Sequence, residues 1–313
     1  MGKSLIKITA IIIAGIFFTY GCNTITRDVK EKEITPEKKN FKLEISLEKN
    51  EFVEGEKIVV RVDIKNLSPY RDSLYKILGI ESLRYLLISS EDRNAEYYGF
   101  VGEVEYLKEP YTIFEQNETI TQYIRIDGLI SYKNDDLEIG NYKYARAGKY
   151  KVSYYLPLRG NNRGDNFDIY SNSIDFIVKE LPENEKDILE LMKEFVPLKK
   201  KGRDKIKLFI ERADSIVYNS ELTPVVESLA SIALMYKSII GYKIDEDLLS
   251  LVKLFFEKKP DSYITFVFLE AYTGFQKAEK KDYFKNEEYF LNKYPESKAI
   301  MYYKNNEKIE RKF

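Results

Sequence analysis

Apolar residues recur at every second position as far as residue 180 of this chain, and at every third or fourth position beyond it. The change falls within "ELPENEKD", residues 180–187. A period of two marks strands with one buried face, and a period near 3.6 marks helices with one buried face. The switch therefore predicts a multidomain α+β chain, all-β over 41–180 and all-α over 183–313.

The strand half is clearest in "FKLEISLE" (41–48), where Phe41, Leu43, Ile45 and Leu47 alternate with polar neighbours. In "EFVEGEKIVVRVDIKN" (51–66) a Gly turn precedes Ile58, Val60, Val62 and Ile64. Further strands are expected at 83–89, 97–106, 119–126, 148–156 and 173–179. Seven short strands between turns rich in Asn, Asp and Gly predict a β-sandwich. Gly148 is expected to permit a sharp turn, Tyr150 and Val152 to point into the core, and Phe176 and Val178 to complete the opposite side.

In the helical half, "EKDILELMKEFVPL" puts Ile188, Leu191, Met192 and Phe195 on one face. "DKIKLFIERADSIVY" does the same with Ile206, Phe209, Ile210 and Ile216, with Ala213 as the small neighbour. Thr223 is expected to cap a helix whose first residue is Pro224, Gly241 to stop it and Asp245 to cap the next. "FFEKKPDSYITF" (255–266) is echoed by "FLNKYPESKAIM" (290–301), with Pro260 and Pro295 35 residues apart. "TPVVES" lies about 36 residues before the first proline.

Two resemblances follow from these segments. "EFVEGEKIVVRVDIKNLS", "ARAGKYKVSYYL" and "SNSIDFIVKELPENEKDI" resemble parts of the immunoglobulin-like domains of exported bacterial proteins. The cysteine pair and core tryptophan of antibody domains are absent. The helical echo resembles a short, divergent array of tetratricopeptide repeats, whose period is about 34 residues. The rival reading of the echo is a generic helical bundle.

The N-terminus carries its own pattern. "MGKSLIK" is basic, and "ITAIIIAGIFFTYG" (8–21) is a 14-residue apolar run that ends at Cys22, the sole cysteine. A membrane-spanning helix needs about 20 apolar residues. A basic stretch before a short apolar core instead fits a signal peptide over 1–21. Gly21-Cys22 resembles the lipobox of bacterial lipoproteins, departing from it at Thr19 and Tyr20. The resemblance implies cleavage before Cys22 and two or three acyl chains on it, enough to hold a protein at a membrane where one chain is marginal. Asn23, rather than aspartate, implies the outer membrane if the host has one. The polar tract 22–40 then reads as a flexible tether. The rival reading is an uncleaved anchor with an incidental cysteine.

Composition removes several functions. The chain has no histidine, which excludes Ser-His-Asp and Cys-His devices and histidine-ligated metal sites. Loss of residues 1–21, with Lys3 and Lys7, leaves 48 basic against 51 acidic residues, too balanced for a nucleic-acid partner. Phosphate loops and dinucleotide fingerprints are absent, so no cofactor is expected.

"SLYK" (73–76) has the S-x-x-K spacing of penicillin-binding enzymes without their companion motifs. "NNRGDNFD" (161–168) and "NDD" (134–136) offer oxygens suited to calcium, but such residues between strands mostly make turns. The tripeptide "RGD" within the first has an integrin-binding form and a chance origin to match. Tyr283, Phe284, Phe290 and Tyr294 are expected in a core before a ligand cage.

These readings predict no catalytic, cofactor-binding or metal-binding residue, and one modified residue, the lipidated Cys22. The expected role is a non-catalytic binding or scaffolding module at the bacterial cell envelope, with the membrane and an envelope protein or peptide as partners. The alternatives are a carboxylate-based hydrolase of envelope glycans, which needs two acids converging in a pocket with one pKa raised, and an immunoglobulin-like protease inhibitor. Intact-mass measurement of protein extracted from its native membrane checks the anchor. The expected mass lacks residues 1–21 and carries two or three acyl chains, and Cys22→Ala abolishes both changes.

Overall fold

The computed structural model describes residues 40–75, 86–90, 95–97, 111–127, 131–132, 144–159, 166–194, 202–240, 244–278 and 284–310. The strands precede the helices, as the change in period requires. They are β1 (Phe41–Leu47), β2 (Glu51–Val53), β3 (Val59–Asn66), β4 (Asp72–Tyr75), β5 (Leu86–Ser90), β6 (Ala95–Tyr97), β7 (Tyr111–Phe114), β8 (Thr119–Arg125), β9 (Ser131–Tyr132), β10 (Gly148–Arg159), β11 (Asn166–Tyr170) and β12 (Ile174–Lys179). A 3-10 turn (Glu183–Glu185) leads into α1 (Lys186–Glu194), α2 (Arg203–Asn219), α3 (Pro224–Ile240), α4 (Ile244–Lys258), α5 (Tyr263–Ala278), α6 (Phe284–Lys293) and α7 (Lys298–Glu310).

One sheet has the order β1-β3-β8, a second β2-β12-β10-β5-β6-β9 with β11 paired to β10, and β4 pairs with β7. Alternation assigns the faces. Phe41, Leu43 and Ile45 are buried on β1, with Val60, Val62 and Ile64 on β3. They share a core with Leu86 and Ile88 of β5, Val152, Tyr154 and Leu156 of β10, and Phe176 and Val178 of β12. The two sheets thus face each other across one apolar layer.

Two side chains close this layer at its ends. Asn172 donates from Nδ2 to the Ile45 carbonyl (3.0 Å) and accepts from the Ile45 N–H (2.9 Å), mimicking a strand partner for β1. Buried Asn66 donates to the carbonyls of Tyr70 (2.9 Å) and Glu115 (3.1 Å) and accepts from the Ser68 N–H (2.8 Å). Every bond a buried amide needs is thereby supplied from neighbouring loops.

Several expectations are corrected. Among the described residues there are more strands than seven. β4, β7, β9 and β11 were not expected, because runs of two to five residues are too short to display a period. β10 continues past Leu156 to Arg159 because β11 pairs alongside it. Tyr150 and Phe176 are not on opposite sides: they are register partners on neighbouring strands of one sheet, with rings stacked at 5.3 Å. Gly148 simply begins β10 opposite Val178, and among the described residues the glycine with a left-handed φ (81°) is Gly55. Asn166–Asp168 belong to β11 rather than to a turn, and Ser73 sits on β4 while Lys76 lies outside the described residues. Of the strand expected at 97–106, only Tyr97 is described, in β6. Phe195, Gly241, residues 134–136, the "RGD" at 163–165, Tyr283 and the side chains of Asp245 and Phe284 lie outside the described residues.

The helices bury the predicted faces. Leu191, Met192, Ile206, Phe209, Ile210 and Ala213 join a second core with residues of α3 to α7. Phe290 is buried, stacked on Phe256 at 4.7 Å. The echo at 35 residues is structural. Ser262 and Ser297 each stand just before a helix, α5 and α7, and accept from the N–H groups of Ile264 (3.1 Å) and Ile300 (3.3 Å). Pro224 is not the equivalent of Pro260 and Pro295, because it opens α3 instead of lying in the turn before a helix. Thr223 precedes α3 and its carbonyl accepts from the Glu227 N–H (2.9 Å), yet its hydroxyl is buried with no hydrogen bond.

The turn between β2 and β3 meets the helices. A Cβ at Gly55 would lie 3.1 Å from Leu189 Cδ1 and 3.3 Å from Val225 Cγ2. Both the positive φ and this approach require glycine. Gly55→Ala is expected to destabilise the protein by about 1–3 kcal/mol in urea unfolding. A change within error would show that the turn does not bear on α1 and α3.

Candidate functional site

A cleft of about 670 Å³ lies where the first sheet meets the helices. One wall is the outer face of β1-β3-β8, where Ser46, Arg61 and Tyr123 stand in register. The other wall is built from the turns that open α5 and α7, with Pro260, Asp261, Ser262, Lys298, Met301 and Tyr302. Phe52, Glu56, Lys57, Pro224 and Glu227 also line it, with Lys49 and Lys258 among the charged residues at its edge.

The helical wall is knitted across the repeats. Asp261 Oδ1 accepts from the Lys298 N–H (2.9 Å) and the Pro260 carbonyl from the Ala299 N–H (3.2 Å), so the turn before α5 caps α7. The Ser262 hydroxyl donates to Glu227 of α3. Contacts across the cleft join the walls: Lys298 with Glu48, the Asn305 amide donating to the Thr121 carbonyl (2.7 Å), and Tyr123 edge-on to Tyr302 at 4.4 Å.

Charges at this junction are unusual. Asp127 is fully buried. It accepts from Arg125 through Nε (2.8 Å) and through the terminal nitrogen Nη2 (2.8 Å), accepts from the Ile58 N–H (3.3 Å), and lies 3.6 Å from Lys57 Nζ. Burial alone would raise its carboxyl, but Arg125 and then Lys57 hold it below the usual carboxylate range. Burial, reinforced by Arg125, pulls the Lys57 ammonium down to about 7. Burial also pushes Glu227 up, opposed by the Ser262 hydroxyl and Lys259 and reinforced by Glu56. An amine and a carboxyl are therefore both displaced toward neutrality in one cleft, a combination that clusters at functional sites.

Glu56 and Glu227 both line the cleft, and both are engaged. Glu56 pairs with Lys49 (2.6 Å) and accepts from the Val53 N–H (3.0 Å), and Glu227 holds Ser262 with Lys259 3.8 Å away. Among the described residues no three His, Cys, Asp or Glu side chains converge to hold a metal ion, and no helix is long and apolar enough to cross a membrane. Cys22 lies outside the described residues.

Sequence reading missed every charged residue of this cleft. For buried Asp127, which pairs with the cleft's Lys57, "RID" (125–127), an Arg and an Asp two apart at a strand end, was the available signal, since such residues share a face. Lys57 had none.

No family model matches the chain, and no curated protein matches it. Among solved structures it is similar to the crystal structure of Spo0M, a sporulation control protein from Bacillus subtilis, at 14% identity with a TM-score of 0.25. The match covers 50% of this chain and 56% of that one.

The lowered Lys57 pKa makes a signed prediction. Between pH 7 and about 10.5 the unfolded chain holds a proton that folded Lys57 has lost, so this residue's contribution to stability rises with pH there. The difference in unfolding free energy between wild type and Lys57→Met should change by up to about 1.4 kcal/mol per pH unit through that window. Parallel stability curves would place Lys57 at an ordinary pKa.

Proposed function

We propose that this chain is a lipid-anchored, non-catalytic protein of the bacterial cell envelope, in which an immunoglobulin-like sandwich and tetratricopeptide-like hairpins together hold a protein or peptide partner. The observation that carries the reading is the cleft. Its walls alternate rings and apolar groups (Phe52, Tyr123, Met301, Tyr302) with charges already paired, such as Lys49 with Glu56. That lining suits an extended peptide better than a single small ion. Its volume lies within the range of pockets that enclose ligands.

The strand order supports the immunoglobulin-like part. β1-β3-β8 corresponds to strands A, B and E, and β12-β10-β5 to G, F and C, with β2 crossing over to pair in parallel with β12. Tyr150 donates from its hydroxyl to the Arg146 carbonyl (2.6 Å) near the start of the F-like strand, the arrangement of a tyrosine corner. The paired serine caps and the 35-residue offset between α5 and α7 support the repeat reading. The signal-like start and Cys22 support the anchor, and Asn23 favours the outer membrane where the host has one.

A second reading has one observation behind it. Glu227, raised and lining the cleft together with Glu56, would serve as the acid of a glycan hydrolase. One experiment separates the two. A photo-crosslinking residue at Lys258, on the rim, is expected to capture a discrete envelope polypeptide in cells, while the same residue at Leu208 captures none. Envelope-glycan hydrolysis that is lost in Glu227→Gln, without a rim-specific adduct, would replace binding with catalysis.

A further inference from the structure

Of the nine large apolar side chains exposed among the described residues, three stand at one end of the sandwich: Leu67 (46% exposed), Tyr70 (76%) and Ile113 (40%). Asn66 gathers that end by bonding the loop at Tyr70 and the turn at Glu115. The chain enters the fold at the same place, where the Asn40 carbonyl accepts from the Leu67 N–H (2.6 Å) and its amide donates to Asp72 (3.1 Å). β1 then runs away from this end for seven residues, about 23 Å, and delivers Glu48 to Lys298 of the helical part. The exposed apolar end and the cleft residues Ser46, Glu48 and Arg61 therefore lie toward opposite ends of β1 and β3.

We infer that this end is a membrane-contact surface, with Tyr70, Leu67 and Ile113 seated among the headgroups of the bilayer that carries the chain. The inference rests on the reading of Cys22 as the anchor. Asn40 lies eighteen positions after Cys22, a reach of at most about 65 Å. The apolar end is thus the part of the body held nearest the anchor. Tyrosine suits the boundary between acyl chain and water, because its ring is apolar and its hydroxyl keeps a polar partner. Charges beside it are matched, Arg71 with Glu115 at 3.4 Å, so the contact needs no anionic lipid. Seated this way, the body stands upright and presents the interdomain cleft away from the bilayer.

The chain has no tryptophan and one cysteine, which makes the test direct. Residues 22–313 contain every residue of the described fold. This chain, carrying either Tyr70→Trp or Leu208→Trp, is coupled through the Cys22 thiol to maleimide phospholipid in phosphatidylcholine vesicles, with and without lipid brominated near the headgroup. Emission from position 70 is expected to shift to the blue and to lose intensity to the bromolipid, and emission from position 208, on α2, to do neither. Equal behaviour at the two positions, quenched or not, overturns the proposal. Chemical coupling bypasses cellular acylation, so this result reads the surface alone, and the mass of the native protein reads the anchor alone.

Discussion

The carboxylate of Asp127 organises the junction on which the rest of the molecule depends. It sits just beyond β8, has no exposure to solvent, and binds Arg125, the Ile58 N–H and Lys57 at once. Those bonds pin the β2–β3 turn to the far end of the sheet. The pinned turn carries Gly55, whose close approach to Leu189 and Val225 seats the sandwich on the helices. A buried charge survives only when partners replace its water, and losing one partner of such a group typically costs about 3–5 kcal/mol. Junction geometry and charge balance are therefore one constraint.

From that seat the helices continue by reusing one turn. The segment before α5 caps its own helix through Ser262, caps α7 through Asp261, and bonds α3 through Glu227. Hydrogen-bond donors at the start of a helix must find acceptors, and here neighbouring helices provide them for each other. This brings the starts of α3, α5 and α7 to one side and aims them at the outer face of the first sheet. The cleft is the space left between these two surfaces.

Its chemistry follows from partial closure. Lys57 and Glu227 are dry enough to be displaced toward neutrality and near enough to the opening to line it. The apolar end of the sandwich lies at the other extreme of β1, where Asn40 bonds Leu67.

Much of the fold is written in local pattern. The alternation in β1 and β3 named the buried side of each strand, Ile206, Phe209 and Ile210 named the buried face of α2, and Pro224 marked the start of α3. Each depends only on which way neighbouring side chains point, and periodicity reports that directly. Tyr150 and Phe176 show the limit: alternation placed both inside but could not say that they are partners in the same sheet. The cleft was illegible for the same reason at longer range. Its residues run from Ser46 to Tyr302, and local marks such as Pro224 and Pro260 announced helix starts and turns, not a shared cleft. The sequence by itself determined the order of strands and helices, their buried faces, the absence of histidine chemistry and the lone cysteine beside an apolar run. Only the tertiary structure decided that Lys57 meets Asp127 and that Glu227 shares a cleft with Glu56, because burial and pKa depend on which distant groups arrive to replace water.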